Sequence, residues 1–305
     1  MKRSFIISLA VFFYLFNFSI GDVQAQSKEL RFVTWNMEHL AEHNGTGCIP
    51  RYDSDYTKLK DFTESLQADI VSLQEVENVA AVSRVFPESD WTIILSERPS
   101  SSAYTCRGNS QKSTQQRVAI AIRKGIVFQD LGSYKELALD RSGLRYGVMI
   151  RLIGSKDTID VMGIHLKSGC FVNDYSLSDR IACEVLEKQV PILDAWIENH
   201  IKEKRKFIVL GDFNHRLTIK NNKLWSVLNE IGGERLLLNN SMQDLKGCHP
   251  KYPAPIDHIL IGPQASKLQK FGSELVHYFP KSGEQMVQKD MLSDHCPISV
   301  VLEID

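Results

Sequence analysis

The chain has 305 residues, 43% hydrophobic and 24% charged, with six cysteines and a formal net charge of −1. That hydrophobic content supplies a core and excludes a disordered chain, while near-neutral charge excludes a global attraction for polyanions. Any contact with nucleic acid must come from a local patch and be salt-sensitive.

Residues 1–25 read as an export signal. Lys2 and Arg3 precede an apolar stretch over 5–20, and Val23-Gln24-Ala25 supplies small residues for cleavage. The stretch is short for a membrane span of about 20 residues and contains Asn17 and Ser19. Export to the periplasm or the medium is therefore expected, with no stable membrane anchor after cleavage. Cleavage removes Lys2, Arg3 and Asp22 and leaves a charge of −2 on 280 residues. No linker, low-complexity block or repeat divides 26–305, so a single domain is expected, and no obligate protein partner is evident.

In chain order, the apolar patterning predicts strands over 30–35, 69–73, 91–95, 118–123, 146–153, 158–164, 207–210, 256–261 and 298–302. Helices are expected over about 55–67 and 77–85. The clearest spans about 176–204, where Ile181, Val185, Leu186, Ile192, Leu193, Trp196, Ile197 and Ile201 recur on one side. Pro191 lies inside it and predicts a kink or a two-piece helix. Strands alternating with helices indicate an α/β domain, and nine strands suit two packed sheets better than one. The basic run Lys202, Lys204, Arg205 and Lys206 reads as a solvated helix end rather than a binding patch.

No CxxC spacing occurs, so in an exported chain the cysteines are expected to pair with one another. Cys48 with Cys106 would join two polar loops, and Cys170 with Cys183 would tie a loop to the following helix. Cys296, at the start of a strand, reads as a buried thiol, and Cys248 has no assigned partner.

The chemistry concentrates at strand ends. Apolar runs lead directly into Asn36, Glu75, His165 and the trio Asp212-Phe213-Asn214, whereas Asp257 and Asp294-His295 precede theirs. The start of a strand lies beside the end of an antiparallel neighbour. If the last two strands run opposite to the others, all eight polar residues meet at one rim. Each residue alone has a plain structural reading: a turn asparagine, a surface acid, a satisfied histidine or a capping aspartate. Six such strand ends together favour a site. Clustered carboxylates repel one another unless a cation compensates. Oxygen donors without zinc-type spacing point to Mg2+, or Mn2+, with Ca2+ as an accessory ion. Such a site suits phosphate ester cleavage.

These segments, TWNMEH at 34–39, LQEVEN at 73–78, GIHLKS at 163–168, GDFNHR at 211–216, IDHIL at 256–260 and SDHCP at 293–297, resemble the endonuclease/exonuclease/phosphatase superfamily, in its deoxyribonuclease I-like branch. The resemblance covers nearly all of 26–305. It implies a four-layer sandwich, with two packed mixed β-sheets flanked by helices. It also implies Glu75 as the principal metal ligand beside Asn36, with Asp294 in support. Asp212 and Asn214 would orient the attacking water and the phosphate. His295 would act held by Asp257, and His165 would contact the phosphate, oriented by Glu97. Arg117 and Lys167 are further residues for phosphate contact. The leading function is a nuclease with nucleic acid as substrate. The alternatives are a sphingomyelinase-like or other lipid or small-molecule phosphoesterase, and, in another class, a non-catalytic binding module on the same fold.

Overall fold

In the computed structural model, which describes residues 28–279 and 290–305, the first strand is buried on both faces. The expected export signal lies outside the described residues. Along β1 (Lys28–Leu40), Leu30 and Phe32 enter one apolar cluster, while Val33, Trp35 and Met37 enter another. Period-two alternation of this kind requires a packed layer on each side.

The inner layer is a second sheet. The first sheet has the order β13 (Leu275–Val276), β14 (Ile298–Ile304), β1, β2 (Ile70–Val76), β4 (Arg117–Arg123) and β3 (Trp91–Leu95). The second runs β11 (Asn239–Asn240), β12 (Asp257–Ile261), β8 (Lys206–Asp212), β7 (Thr158–His165), β6 (Gly147–Ile153) and β5 (Phe128–Tyr134). A two-stranded hairpin, β9 (Glu230–Ile231) with β10 (Glu234–Arg235), stands apart. Phe32, Ile70 and Ile120 from one sheet meet Ile150, Val161, Leu210 and Ile259 from the other. Fully burying each such side chain stabilises the fold by about 1.5–3 kcal/mol. The sheets come close enough at Gly163 that a Cβ there would lie 2.6 Å from Ser72 Oγ.

Helices form the outer layers. Tyr56, Leu59 and Phe62 of α1 (Asp53–Ser65), with Ala81 and Val82 of α2 (Val79–Ser83), cover Val33, Trp35, Val71 and Leu73. Leu186, Val190, Leu193 and Ile197 of α3 (Ile181–Lys202), with Leu224 and Leu228 of α4 (Lys223–Leu228), cover Met162, Ile164, Phe207 and Val209. The result is the four-layer sandwich. Both sheets are mixed: β1–β2 and β7–β8 are parallel, whereas β14 and β12 run antiparallel to β1 and β8.

Several expectations are corrected. Helix α3 is one element through Pro191, not two pieces. Pro191 sits on the exposed face, where water can satisfy the carbonyl that the missing N–H leaves open. The helix also starts at Ile181, because 170–180 is a loop closed by the Cys170–Cys183 disulfide. Strand β5, with exposed Gln129 and Asp130, gave no apolar run because it is an edge strand. Cys48 pairs with Cys106 and Cys170 with Cys183 as expected, whereas Cys296 is bonded to Cys248 instead of remaining a thiol. In the basic run, Lys202 pairs with Glu198, Arg205 with Glu203 and Asp160, and Lys206 with Asp157.

Candidate functional site

The site is the polar end of the gap between the two sheets. Leu30 and Phe32 on β1, Ile159 and Val161 on β7, Ile208 and Leu210 on β8, and Ile259 and Ile261 on β12 all face that gap. Continuing each alternation to the rim places Asn36, His165, Asp212 and Asp257 in phase with them. Register then brings them abreast, since His165 pairs with Asp212 across β7–β8 and Asp257 pairs with Asp212 across β12–β8. Glu75 breaks the phase. It follows Val71 and Leu73 of the outer face, but takes φ +58° where the β2–β4 register shifts. That turn leaves its carboxylate oxygens 3.6 Å from His39 Nε2 and 3.9 Å from His165 Nε2.

Asp212 is the hub. Its Oδ2 accepts from Asn36 Nδ2 at 3.0 Å and Asn214 Nδ2 at 3.1 Å, and its Oδ1 accepts from Asn214 N at 2.7 Å. Burial, reinforced by the charge of Asp257, raises its pKa to about 7 against the opposing effect of His295. His295 Nδ1 lies 2.7 Å from Asp257 Oδ2. Burial alone would lower the His295 pKa, but the ion pair with Asp257, with Asp212 and Asp294 adding, lifts it well above the ordinary value. Its main chain is also held, because Trp35 Nε1 donates to His295 O at 3.0 Å and Ser293 Oγ accepts from His295 N at 3.2 Å. His165 is the opposite case. Burial, then the positive charge of Arg145, keeps it well below its ordinary pKa, with Nε2 3.4 Å from Asp212 Oδ2.

A second group of acids adjoins the first. Burial and the charge of Asp294 raise Glu38 to about 7, and its Oε2 accepts from Asp294 N at 2.9 Å. Burial likewise raises Asp294, with Glu75 adding to the repulsion. Arg51, itself buried, donates to the carbonyls of Met37, Glu38 and Leu292, clamping the end of β1 to the segment before Ser293. Ligand atoms of Asp212, Asp257 and His295 lie within 4.8 Å of one another, and Asp257 Oδ1 is buried without a hydrogen-bond partner among the described residues.

Asn36, Glu75, His165, Asp212, Asn214, Asp257, Asp294 and His295 thus gather at one rim. Glu97 does not join them. It is exposed beyond β3, an edge strand two positions from β2 and about 10 Å to the side, and its main-chain N–H donates to Ser133 Oγ at 2.8 Å. His165 Nδ1 accordingly lacks a partner among the described residues. Arg117 donates to the carbonyls of Glu77 and Arg98 and to Ser100 Oγ, which ties three of its five N–H donors to the protein. Lys167 stays near the site, with Nζ donating to Ser168 O at 2.7 Å and two further donors open. Burial and then Arg145 lower its pKa.

Glu38, His39 and Arg145 were not anticipated. Arg145, which donates to Gln116 Oε1 at 2.8 Å, acts electrostatically on His165, His39 and Lys167. It stands just before β6, so the strand-start rule that found Asp257 would have found it too.

A profile described as Endonuclease/Exonuclease/phosphatase family matches residues 33–295. No curated protein sequence matches the chain. Among solved structures, the human Nocturnin catalytic domain with bound sulfate is similar at TM-score 0.60 and 15% identity, covering 93% of this chain and 96% of that one. A 3'-5' exonuclease, NExo, from Neisseria meningitidis has TM-score 0.57 and 17% identity, covering 90% and 100%. A 3' phosphatase NExo variant from Neisseria, bound to a product DNA hairpin, has TM-score 0.55 and 16% identity, covering 90% and 99%. At these identities the likeness establishes the shared fold.

Proposed function

Because the chain belongs to the endonuclease/exonuclease/phosphatase family, whose members are phosphoesterase hydrolases, we propose that it is an exported, divalent-metal-dependent phosphodiesterase acting on nucleic acid. The observation that carries this reading is the gathering of Asn36, Glu75, His165, Asp212, Asn214, Asp257, Asp294 and His295 at the end of the inter-sheet gap. The similar exonuclease and the DNA-bound phosphatase support nucleic acid as the substrate class. Three disulfides among the described residues support an oxidising destination. None of the described helices is long and apolar enough to cross a membrane.

The residues fit a hard cation. Asp294 and Glu75 add to the charge burden on Glu38, Glu75 adds to that on Asp294, and Asp257 Oδ1 is a buried acceptor with no partner among the described residues. Glu75 and Asp294, with Asn36 and Glu38 beside them, would hold Mg2+ or Mn2+, with Ca2+ as an accessory ion. When bound, such an ion neutralises charge on the phosphate and the leaving oxygen.

The protein's own groups supply the rest. Asp212, with a pKa of about 7 and its oxygens fixed by Asn36 and Asn214, is matched to accept a proton from an attacking water. His295 is an imidazolium at neutral pH, so Nε2 donates to a phosphate oxygen as the displacement proceeds. Asp257 keeps that charge in place. His165 is neutral and hydrogen-bonds the phosphate without adding repulsion to the cation.

Hydrolysis of single- and double-stranded DNA, RNA, sphingomyelin vesicles and bis(4-nitrophenyl) phosphate, each with Mg2+, Mn2+ and Ca2+, tests the reading. Nucleic acid should be cut in a metal-dependent manner, and Glu75→Ala or His295→Ala should lower the rate by roughly a thousandfold. Near-normal turnover in either variant defeats the assignment. Loss of all hydrolysis across the panel returns the chain to a binding module. Export predicts a mature N-terminus at Gln26, and cell-associated protein beginning at Met1 counts against it.

A lipid phosphodiesterase is the second reading. Phe171, Leu177 and Ile181, 52%, 85% and 71% exposed, lie along the disulfide-closed segment beside the site. An exposed apolar loop there suits contact with a lipid surface. Vesicle hydrolysis outpacing nucleic-acid cleavage would select it.

A further inference from the structure

A cavity of about 440 Å3 opens beside the catalytic rim, within the range of small-molecule sites. Asn214, Asp257, Asp294 and His295 form part of its wall, so its occupant adjoins the reacting phosphate. Beyond them the lining turns apolar, with Met242, Ile256, Val276, Ile298 and the Cys248–Cys296 disulfide. Two features of the lining are specific. His249 and Tyr252, joined by a turn in which Tyr252 N donates to His249 O, present rings 4.8 Å apart and 30° from parallel. Arg216 is half-buried in the lining, and its guanidinium makes no hydrogen bond or ion pair with the described residues.

We propose that this cavity holds the nucleobase of the nucleoside esterified to the reacting phosphate, stacked on Tyr252 with its hydrogen-bonding edge toward Arg216, so that the enzyme acts on unpaired nucleotides. The inference rests on the nuclease reading above and narrows its substrate class. A nucleobase combines a flat face with acceptors along one edge, matching an aromatic ring and an open fork of donors. A quaternary ammonium headgroup would meet the charge of Arg216. An acyl chain would desolvate that guanidinium without offering it an acceptor. A polyol would find aliphatic walls and a disulfide where it needs hydrogen bonds. A base seated in the cavity is not paired, and duplex substrate has to open first, which slows it.

Two measurements on the full mature chain decide the matter. The first compares binding of adenosine monophosphate and ribose 5-phosphate in metal-free buffer by calorimetry, for the wild type, Tyr252→Ala, Tyr252→Phe and Arg216→Gln. The base should confer at least about a tenfold tighter affinity, retained by Tyr252→Phe and mostly lost in Tyr252→Ala and Arg216→Gln. Tyr252 is 62% exposed, so its variants should fold, and equal thermal midpoints check this. Equal affinity for the two phosphates, or a ratio unaltered by Tyr252→Ala, overturns the proposal. The second measurement compares one oligonucleotide single-stranded and in duplex, expected to differ by about tenfold in rate; equal rates overturn the requirement for an unpaired base. Absence of nucleic-acid cleavage with every metal sinks the nuclease reading, while the binding ratio still decides the occupant of the cavity.

Discussion

His295 and Asp257 form a pair whose value lies in charge more than in shape, because the 2.7 Å contact holds the imidazolium in an otherwise buried position. Asp257→Asn keeps the size and removes the charge, so the His295 pKa should fall and the imidazolium should be lost at lower pH. The alkaline limb of the pH profile of kcat/KM should move down, with about a hundredfold loss at pH 8; an unmoved limb would contradict the role given to the pair. Glu38, at about 7, makes a different prediction. Below that pH it holds a proton, which a cation must displace. Affinity for Mg2+ should therefore weaken as pH falls below 7 and level off above it. Calorimetry at pH 6.5 in two buffers of different ionisation enthalpy should show proton release on binding, reduced in Glu38→Gln. Zero proton release would mean that the cation sits elsewhere.

At the scale of elements, the site depends on how four strands end. Glu38, His39, Glu75 and Asn214 all have positive φ, between 46° and 58°, a conformation that costs a side-chain-bearing residue about 1–3 kcal/mol. Arg51 offsets part of this at the end of β1 by taking the carbonyls that the turn exposes. Gly211, the residue before Asp212, has no room at all: a Cβ there would stand 2.0 Å from Ile164 O on the paired strand β7. Gly211→Ala should push β7 and β8 apart beside His165 and Asp212. Activity should fall by more than about tenfold together with a lower thermal midpoint; a fully active variant would show that the rim tolerates more slack than the contacts imply.

Across the whole molecule, three disulfides close loops of 13, 48 and 58 residues, and the middle one anchors the loop carrying Tyr252 next to His295. In the chain-entropy account these stabilise the fold by about 3, 4 and 4 kcal/mol. Reduction should lower the thermal midpoint by more than about 10 °C, and peptide mapping without reductant should find no free thiol. Midpoints that coincide with and without reductant would reject a stabilising role. Much of this architecture was legible beforehand, since every long strand except β5 and the eight rim residues are marked by local patterning. The side-chain period of two and the apolar runs are properties of consecutive residues, so the sequence by itself determined which residues end strands and carry polar chemistry. Which strands become neighbours was not local. Sheet order, the turning of Glu75 out of phase, the isolation of Glu97 on an edge, the spending of Arg117 on loop carbonyls and the Cys248–Cys296 bond were decided only by tertiary structure. Their physical reason is common to all: burial and hydrogen bonding between segments distant in the chain set lateral position, and no short stretch of residues records its partners.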